Sequence, residues 1–194
     1  MEHIAHSLIS FFESLGDPVK QAAAGGLFTW ILTALGAGLV FFFKGTDRKM
    51  LDTALGFTGG VMIAASFWSL LSPAINAVEI QQEQGITNMP IWFPPAVGFL
   101  LGAIFLYILD KKVPHLHLFD KITEAEGPKS NLKKTELLVL AIALHNIPEG
   151  LAVGVAFGAA AQGLDIGVTL GGAIALAIGM GIQNAPEGFA VSMP

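Results

Sequence analysis

Cysteine is missing from all 194 residues. Its absence excludes disulfides, thiolate metal sites and cysteine nucleophiles, and leaves nitrogen, oxygen and thioether atoms as the metal ligands on offer. Charge is scarce too. Only 13% of residues are Asp, Glu, Lys or Arg, where a soluble domain of this size carries roughly a quarter. With 53% hydrophobic residues and a mean hydropathy of +0.65, the balance points to a membrane protein. The net charge of −5 says little, because orientation follows where Lys and Arg sit and not their sum. A basic n-region is lacking as well; the chain opens on Glu2, His3 and His6, so no secretory signal is apparent.

What charge there is marks boundaries. Gln21 to Phe43, Thr53 to Val78 and Ile91 to Leu109 contain none. Leu137 to Leu164 is interrupted only by His145 and Glu149, and Ile166 to Pro194 only by Glu187. Each stretch has the length needed to cross roughly 30 Å of hydrocarbon at about 1.5 Å per residue. The expected fold is therefore all-α, a polytopic transmembrane helix bundle. Its transmembrane domain covers 19–194, with spans at about 21–43, 53–78, 91–109, 137–160 and 168–194 and a cytoplasmic loop at 110–136. Residues 1–18 form an N-terminal arm in which Ile4, Leu8, Phe11, Phe12 and Leu15 fall at helical spacing, as in an interfacial helix; His3 and His6 read as its solvated residues.

Lys44, Arg48 and Lys49 lie in the first connection, and Lys111, Lys112, Lys121, Lys129, Lys133 and Lys134 in the third. Only Lys20 lies elsewhere. Nine of the ten basic residues thus fall on one side, which the positive-inside rule makes cytoplasmic. The N-terminus is then extracytoplasmic, and the expected location is the cell (inner) membrane. Glycine and alanine crowd every span, which predicts close helix packing. Trp92 and Tyr107 read as interfacial belt residues, and Trp30 and Trp68 as packing residues.

One hexapeptide carries the chemistry. His145-Asn146-Ile147-Pro148-Glu149-Gly150 recurs as Gln183-Asn184-Ala185-Pro186-Glu187-Gly188. Helical spacing puts His145 beside Glu149 and Gln183 beside Glu187, with Asn146 and Asn184 flanking the same surfaces. Pro148 and Pro186 donate no hydrogen bond to the carbonyl four residues back and bend their helices, while Gly150 and Gly188 leave room. Glu149 lies roughly 18 Å along its span, and Glu187 roughly 22 Å along a helix running the other way, so the carboxylates reach similar depth. Two unpaired carboxylates facing each other in low dielectric repel strongly, and no Lys or Arg in these spans relieves them. A divalent cation does. One imidazole, two carboxylates and three amides suit Zn²⁺, Mn²⁺ or Fe²⁺, and bridging carboxylates allow two ions. A proline kink with self-satisfied polar groups would explain a single copy but not the pair.

This motif pair resembles the ZIP (Zrt/Irt-like) metal transporters, in particular the bacterial members, which carry H-N-x-P-E-G on the fourth helix and a near copy on the fifth. The histidine cluster His115-Leu116-His117 between spans three and four fits the same pattern. The resemblance implies His145, Asn146, Glu149, Gln183, Asn184 and Glu187 as metal ligands in a binuclear site, with Met62 adding a thioether. It places Ser69 and Asn76 on the transport path, and makes His115 and His117 a cytoplasmic metal-handling pair, the alternative being interfacial residues beside Pro114. Many relatives have His or Asp at the positions of Gln183 and Asn184, so the second sub-site here is less anionic. The family has eight spans, so five of an expected eight are present, and the chain reads as truncated after the fifth.

The implied function is transport of divalent cations into the cytoplasm, zinc foremost, with iron, manganese, cadmium and cobalt as alternatives. The metal is substrate and not a cofactor. The partners are metal ions and the lipid bilayer, without nucleic acid, and a homodimer is the candidate assembly. An intramembrane metalloenzyme fits less well: H-E-x-x-H supplies a free Glu as general base, whereas Asn146 stands at that position here. A proton-conducting or structural membrane subunit, using the carboxylates as proton sites, is the third reading.

Overall fold

The computed structural model describes residues 2–42, 48–116, 121–162 and 168–192. Helix α1 spans Glu2–Ser14, α2 Pro18–Gly38, α3 Arg48–Ala65, α4 Ser72–Glu83, α5 Phe93–Lys112, α6 Lys134–Ala161 and α7 Leu170–Ser192. No strand occurs among the described residues. The chain forms an all-α membrane helix bundle. Four of its segments, Pro18–Phe41, Arg48–Glu83, Phe93–Lys112 and Lys134–Ala161, are long and apolar enough to cross a bilayer. The 23 residues of α7 have the length, but Gln183, Asn184, Pro186 and Glu187 lower the hydropathy of its second half.

The helices begin and end where local chemistry directs. At the first corner Gly16 adopts φ 65°, a left-handed conformation that favours glycine. Asp17 then caps α2 by accepting from the Val19 amide at 2.7 Å, and Pro18 occupies the first turn, where its missing N–H costs nothing. Thr169 caps α7 through a 3.0 Å bond from the Gly172 amide. Helix α3 runs into α4 through a π-helical segment, Ser66–Leu71, closed by the Ser72 amide bonding back to Phe67. Pro73 accounts for it: its ring crowds the Ser69 carbonyl four residues back, and one wider turn relieves the clash.

Helix α7 is the axis of the bundle, packed by α2, α3 and α6. Phe157 and Leu176 are almost wholly buried in the core that joins α6 and α7. Helix α1 adds Phe12, whose ring stacks on Phe157 with centroids 5.1 Å apart. The predicted interfacial arm therefore docks on the bundle through one face. Glycines set the closest approach, between α2 and α7. A Cβ at Gly36 would strike the Ala185 carbonyl, and one at Gly188 the Thr33 carbonyl. Small residues matter here because apolar surface gains little by leaving lipid; packing drives helix association.

Two expectations need correction. Gly56, Gly59 and Gly60 on α3 have no atom within 4 Å of where a Cβ would stand, so the packing role of glycine is confined to particular faces. Trp30 and Trp68 are 64% and 69% exposed and do not fill the core.

Between α5 and α6 the chain folds back on itself. His115 and Glu126 exchange both backbone hydrogen bonds, at 3.1 and 2.9 Å. Gly127 (φ 79°) makes the return, lying against the Val113 carbonyl. Leu116, fully buried, packs on Leu137 and Leu138 at the start of α6.

Candidate metal centre between α6 and α7

Both copies of the repeated motif lie within unbroken helices, Pro148 inside α6 and Pro186 inside α7. The two helices pack against each other, and the motifs meet at one junction. Gln183, 0% exposed, donates from Nε2 to Glu149 Oε1 at 2.6 Å and to Met180 Sδ at 3.4 Å. The Asn184 amide, turned so that its nitrogen faces the acceptors, donates to Glu149 Oε2 at 3.1 Å and to the Met180 carbonyl at 2.9 Å. Each oxygen of Glu149 thus receives one N–H across the helix interface. Hydrogen bonds to an ionised carboxylate are the stronger kind, and these two fix the carboxylate plane.

Two acceptors are left over. Asn146 Oδ1 and Gln183 Oε1 are buried without a hydrogen-bond donor. A buried polar atom left unpaired costs about 1–3 kcal/mol, and such an atom in a native structure calls for a reason. Carbonyl oxygens left in this state can coordinate a cation.

His145 is oriented as a metal ligand would be. Its Nδ1 lies 2.8 Å from the Ala141 carbonyl; a carbonyl only accepts, so Nδ1 carries the proton. Nε2 is then the nitrogen with a free lone pair, and a backbone acceptor on the other ring nitrogen is the usual support for such a ligand.

The grouping across the helices differs from the simple i, i+4 pairing. His145 and Glu187 line one pocket of about 190 Å³, bounded by Leu55, Leu116 and Leu138. Asn146, Glu149 and Asn184 line another of about 200 Å³, with Thr29, Trp30, Thr33 and Met180. The Gln183–Glu149 bond joins the motifs between these groups. Each partnership crosses from one helix to the other because the rotation of α7 is set by its contacts with α2 as well as α6. Gly150 lines the second pocket, whereas Gly188 makes room for α2 and not for a ligand.

The remaining candidates are spread along α3, α4 and the loop. Met62 is half-buried on α3, one turn beyond Thr58. Thr58, buried, reaches the Gln183 carbonyl with its hydroxyl at 3.3 Å. Ser69 is half-buried within the π-helical segment, and Asn76 is exposed on α4. His115 is buried; its Nε2 stands 3.1 Å from Asp110 Oδ1 and its Nδ1 2.9 Å from the Val113 carbonyl. Asp110, His115 and Glu126 each bring one ligand atom within 4.8 Å of the others. His117 lies outside the described residues. A further pocket of about 130 Å³ is lined by Asp110, His115 and His145, joining the loop cluster to the first motif. Sequence reasoning missed Thr58, Met180, Asp110 and Glu126. The i+4 spacing from Thr58 to Met62 was a usable signal; the pairing of Asp110 with Glu126 depends on the backbone return, whose trace in the sequence is Gly127.

No protein-family model matches the chain. Individual relatives do. The chain is 38% identical over 215 residues to "Zinc transporter ZIP11" of Bos taurus, a match covering 74% of this chain and 62% of that protein. It is 36% identical over 140 residues to "Zinc transporter ZIPB" of Bordetella bronchiseptica, covering 72% and 43%. To "Zinc transporter ZupT" of Nitratidesulfovibrio vulgaris it is 34% identical over 149 residues, covering 69% and 51%. The chain thus spans less than two thirds of the length of the curated relatives it matches. With the doubled motif joined at the α6–α7 interface in an all-α membrane bundle, these likenesses place the chain in the ZIP (Zrt/Irt-like) family.

Proposed function

We propose that the protein transports divalent metal cations, zinc foremost, into the cytoplasm through the centre between α6 and α7. The observation that carries the reading is the pair of buried, donor-free oxygens, Asn146 Oδ1 and Gln183 Oε1, on the two helices whose side chains meet at the Glu149 carboxylate. A cation supplies what these atoms lack. The His145–Glu187 pocket forms one sub-site, with a nitrogen and a carboxylate; Asn146, Glu149 and Asn184 form the other, of oxygen ligands, and Gln183 Oε1, at the junction made by the Gln183–Glu149 bond, is a further oxygen ligand of the centre. Nitrogen/oxygen sets of this kind suit Zn²⁺, with Fe²⁺, Mn²⁺, Co²⁺ and Cd²⁺ as competitors. The zinc-transporter names of the relatives support the same substrate class.

Passage to the cytoplasm follows the second pocket of His145, which ends at Asp110 and His115. The Asp110–His115–Glu126 cluster receives the ion as it leaves. The direct test is Zn²⁺ binding and Zn²⁺ flux by purified protein in nanodiscs and liposomes. Saturable binding of up to two ions supports the reading; a protein that binds neither Zn²⁺ nor Cd²⁺ overturns it.

The orientation assigned from the basic residues is testable because the chain has no cysteine of its own. Single-cysteine variants Ser7→Cys and Lys129→Cys place a thiol on α1 and in the α5–α6 loop. A membrane-impermeant maleimide is expected to label Ser7→Cys in intact spheroplasts, and Lys129→Cys only after permeabilisation. The opposite pattern reverses the direction of transport.

A further inference from the structure

We propose that Met180 is a positioning residue that holds the Gln183 amide with its oxygen turned toward the metal, an inference that rests on the transport reading above. An amide binds a metal ion through its carbonyl oxygen, so both of its N–H groups must be placed elsewhere. Gln183 is fully buried, and water is not at hand to accept them. One N–H goes to Glu149 Oε1 at 2.6 Å and the other to Met180 Sδ at 3.4 Å. With both donors engaged, Oε1 is the remaining atom, and it is buried without a donor.

Helical geometry makes the arrangement natural. Residues three and four apart share a face, so Met180 lies one turn from both Gln183 and Asn184. It serves the two amides differently. Gln183 uses the thioether, while Asn184 uses the Met180 backbone carbonyl at 2.9 Å, which no substitution of the side chain removes. Met180 is itself 7% exposed and lines the pocket that contains Asn146, Glu149 and Asn184.

The two acceptors of Gln183 respond differently to a bound ion. Once a cation sits on Glu149, the carboxylate turns part of its electron density to the metal and holds the amide less firmly. The thioether is neutral and does not change in this way. It keeps the amide from rotating by 180° and presenting nitrogen to the ion. A soft sulfur is a weak acceptor, so it fixes the orientation at little cost to the affinity of the oxygen for metal.

A double-variant comparison tests this. Met180→Leu preserves volume and removes the acceptor. Zn²⁺ affinity, measured by calorimetry in nanodiscs, is expected to fall by about fivefold to tenfold, the scale of one hydrogen bond. In Gln183→Glu the carboxylate has no N–H to place. Adding Met180→Leu to that background is expected to change affinity by less than about twofold. Thermal midpoints without metal report any general packing defect, which would act in both backgrounds alike. An equal loss in both backgrounds overturns the proposal and marks Met180 as packing or as a direct sulfur ligand. Wild-type binding with Met180→Leu unchanged also overturns it. Absence of Zn²⁺ binding in the wild type overturns the transport reading and this inference with it.

Discussion

Glu149→Ala is expected to abolish Zn²⁺ flux and to weaken Zn²⁺ binding by more than about a hundredfold, the scale of two charge-assisted contacts. The carboxylate is the hub of the centre: it receives Gln183 on one oxygen and Asn184 on the other. Alanine removes the ligand and also strands two buried amide donors, at about 1–3 kcal/mol each. Glu149→Gln separates the two effects. It keeps the shape but sets an NH₂ group against one of those donors, and it removes the charge that a divalent ion requires. Both variants are expected to lose transport; they share the loss of charge, while Glu149→Gln leaves one amide donor unpaired where alanine leaves two. Glu187→Ala acts on the other pocket, which it shares with His145. There the expected result is a fall in stoichiometry from two ions to one, reproduced by His145→Ala. Counting bound Zn²⁺ by equilibrium dialysis checks all four variants. Full binding by Glu149→Ala would exclude the α6–α7 centre as the metal site.

Much of this was legible in the letters because it depends on local rules. Charge-free stretches of the right length mark helices wherever hydrocarbon forbids unpaired backbone. The repeated Asn-x-Pro-Glu-Gly is visible because burying a carboxylate twice demands a reason. What resisted reading was rotation about helix axes. The i, i+4 rule puts Gln183 beside Glu187, yet Gln183 reaches across to Glu149 because α2 and α6 together fix the rotation of α7. Nothing local distinguishes Gly188, pressed on the Thr33 carbonyl, from Gly59, which faces open space. Trp30 and Trp68 misled for the same reason, since depth in a span does not say which way a side chain points. The Asp110–His115–Glu126 cluster required a chain reversal whose sole sequence trace is Gly127.

Gly188→Val is expected to loosen the bundle and to weaken metal binding together, and Gly36→Val to do the same from the opposite helix. The two glycines form a reciprocal contact: Gly36 of α2 faces the backbone of Ala185, and Gly188 of α7 faces the backbone of Thr33 and Ala37. At each site the obstructing atoms are main chain, so no side-chain rotation can absorb the added carbons. The helices must separate. Overpacking typically costs about 1–3 kcal/mol, which for a chain of this size lowers the melting temperature by about 2–12 °C. Gly59→Ala, with open space around it, is the control and should melt within about 1–2 °C of wild type. The effect on metal follows from position. Ala185 lies between Asn184 and Pro186, so α2 rests directly on the backbone that carries the second motif. Moving α2 away releases Asn184 and Gln183 from Glu149, and Zn²⁺ affinity should fall in step with stability. If Gly188→Val melts early but binds Zn²⁺ as tightly as wild type, α2 supports the bundle without holding the centre in register.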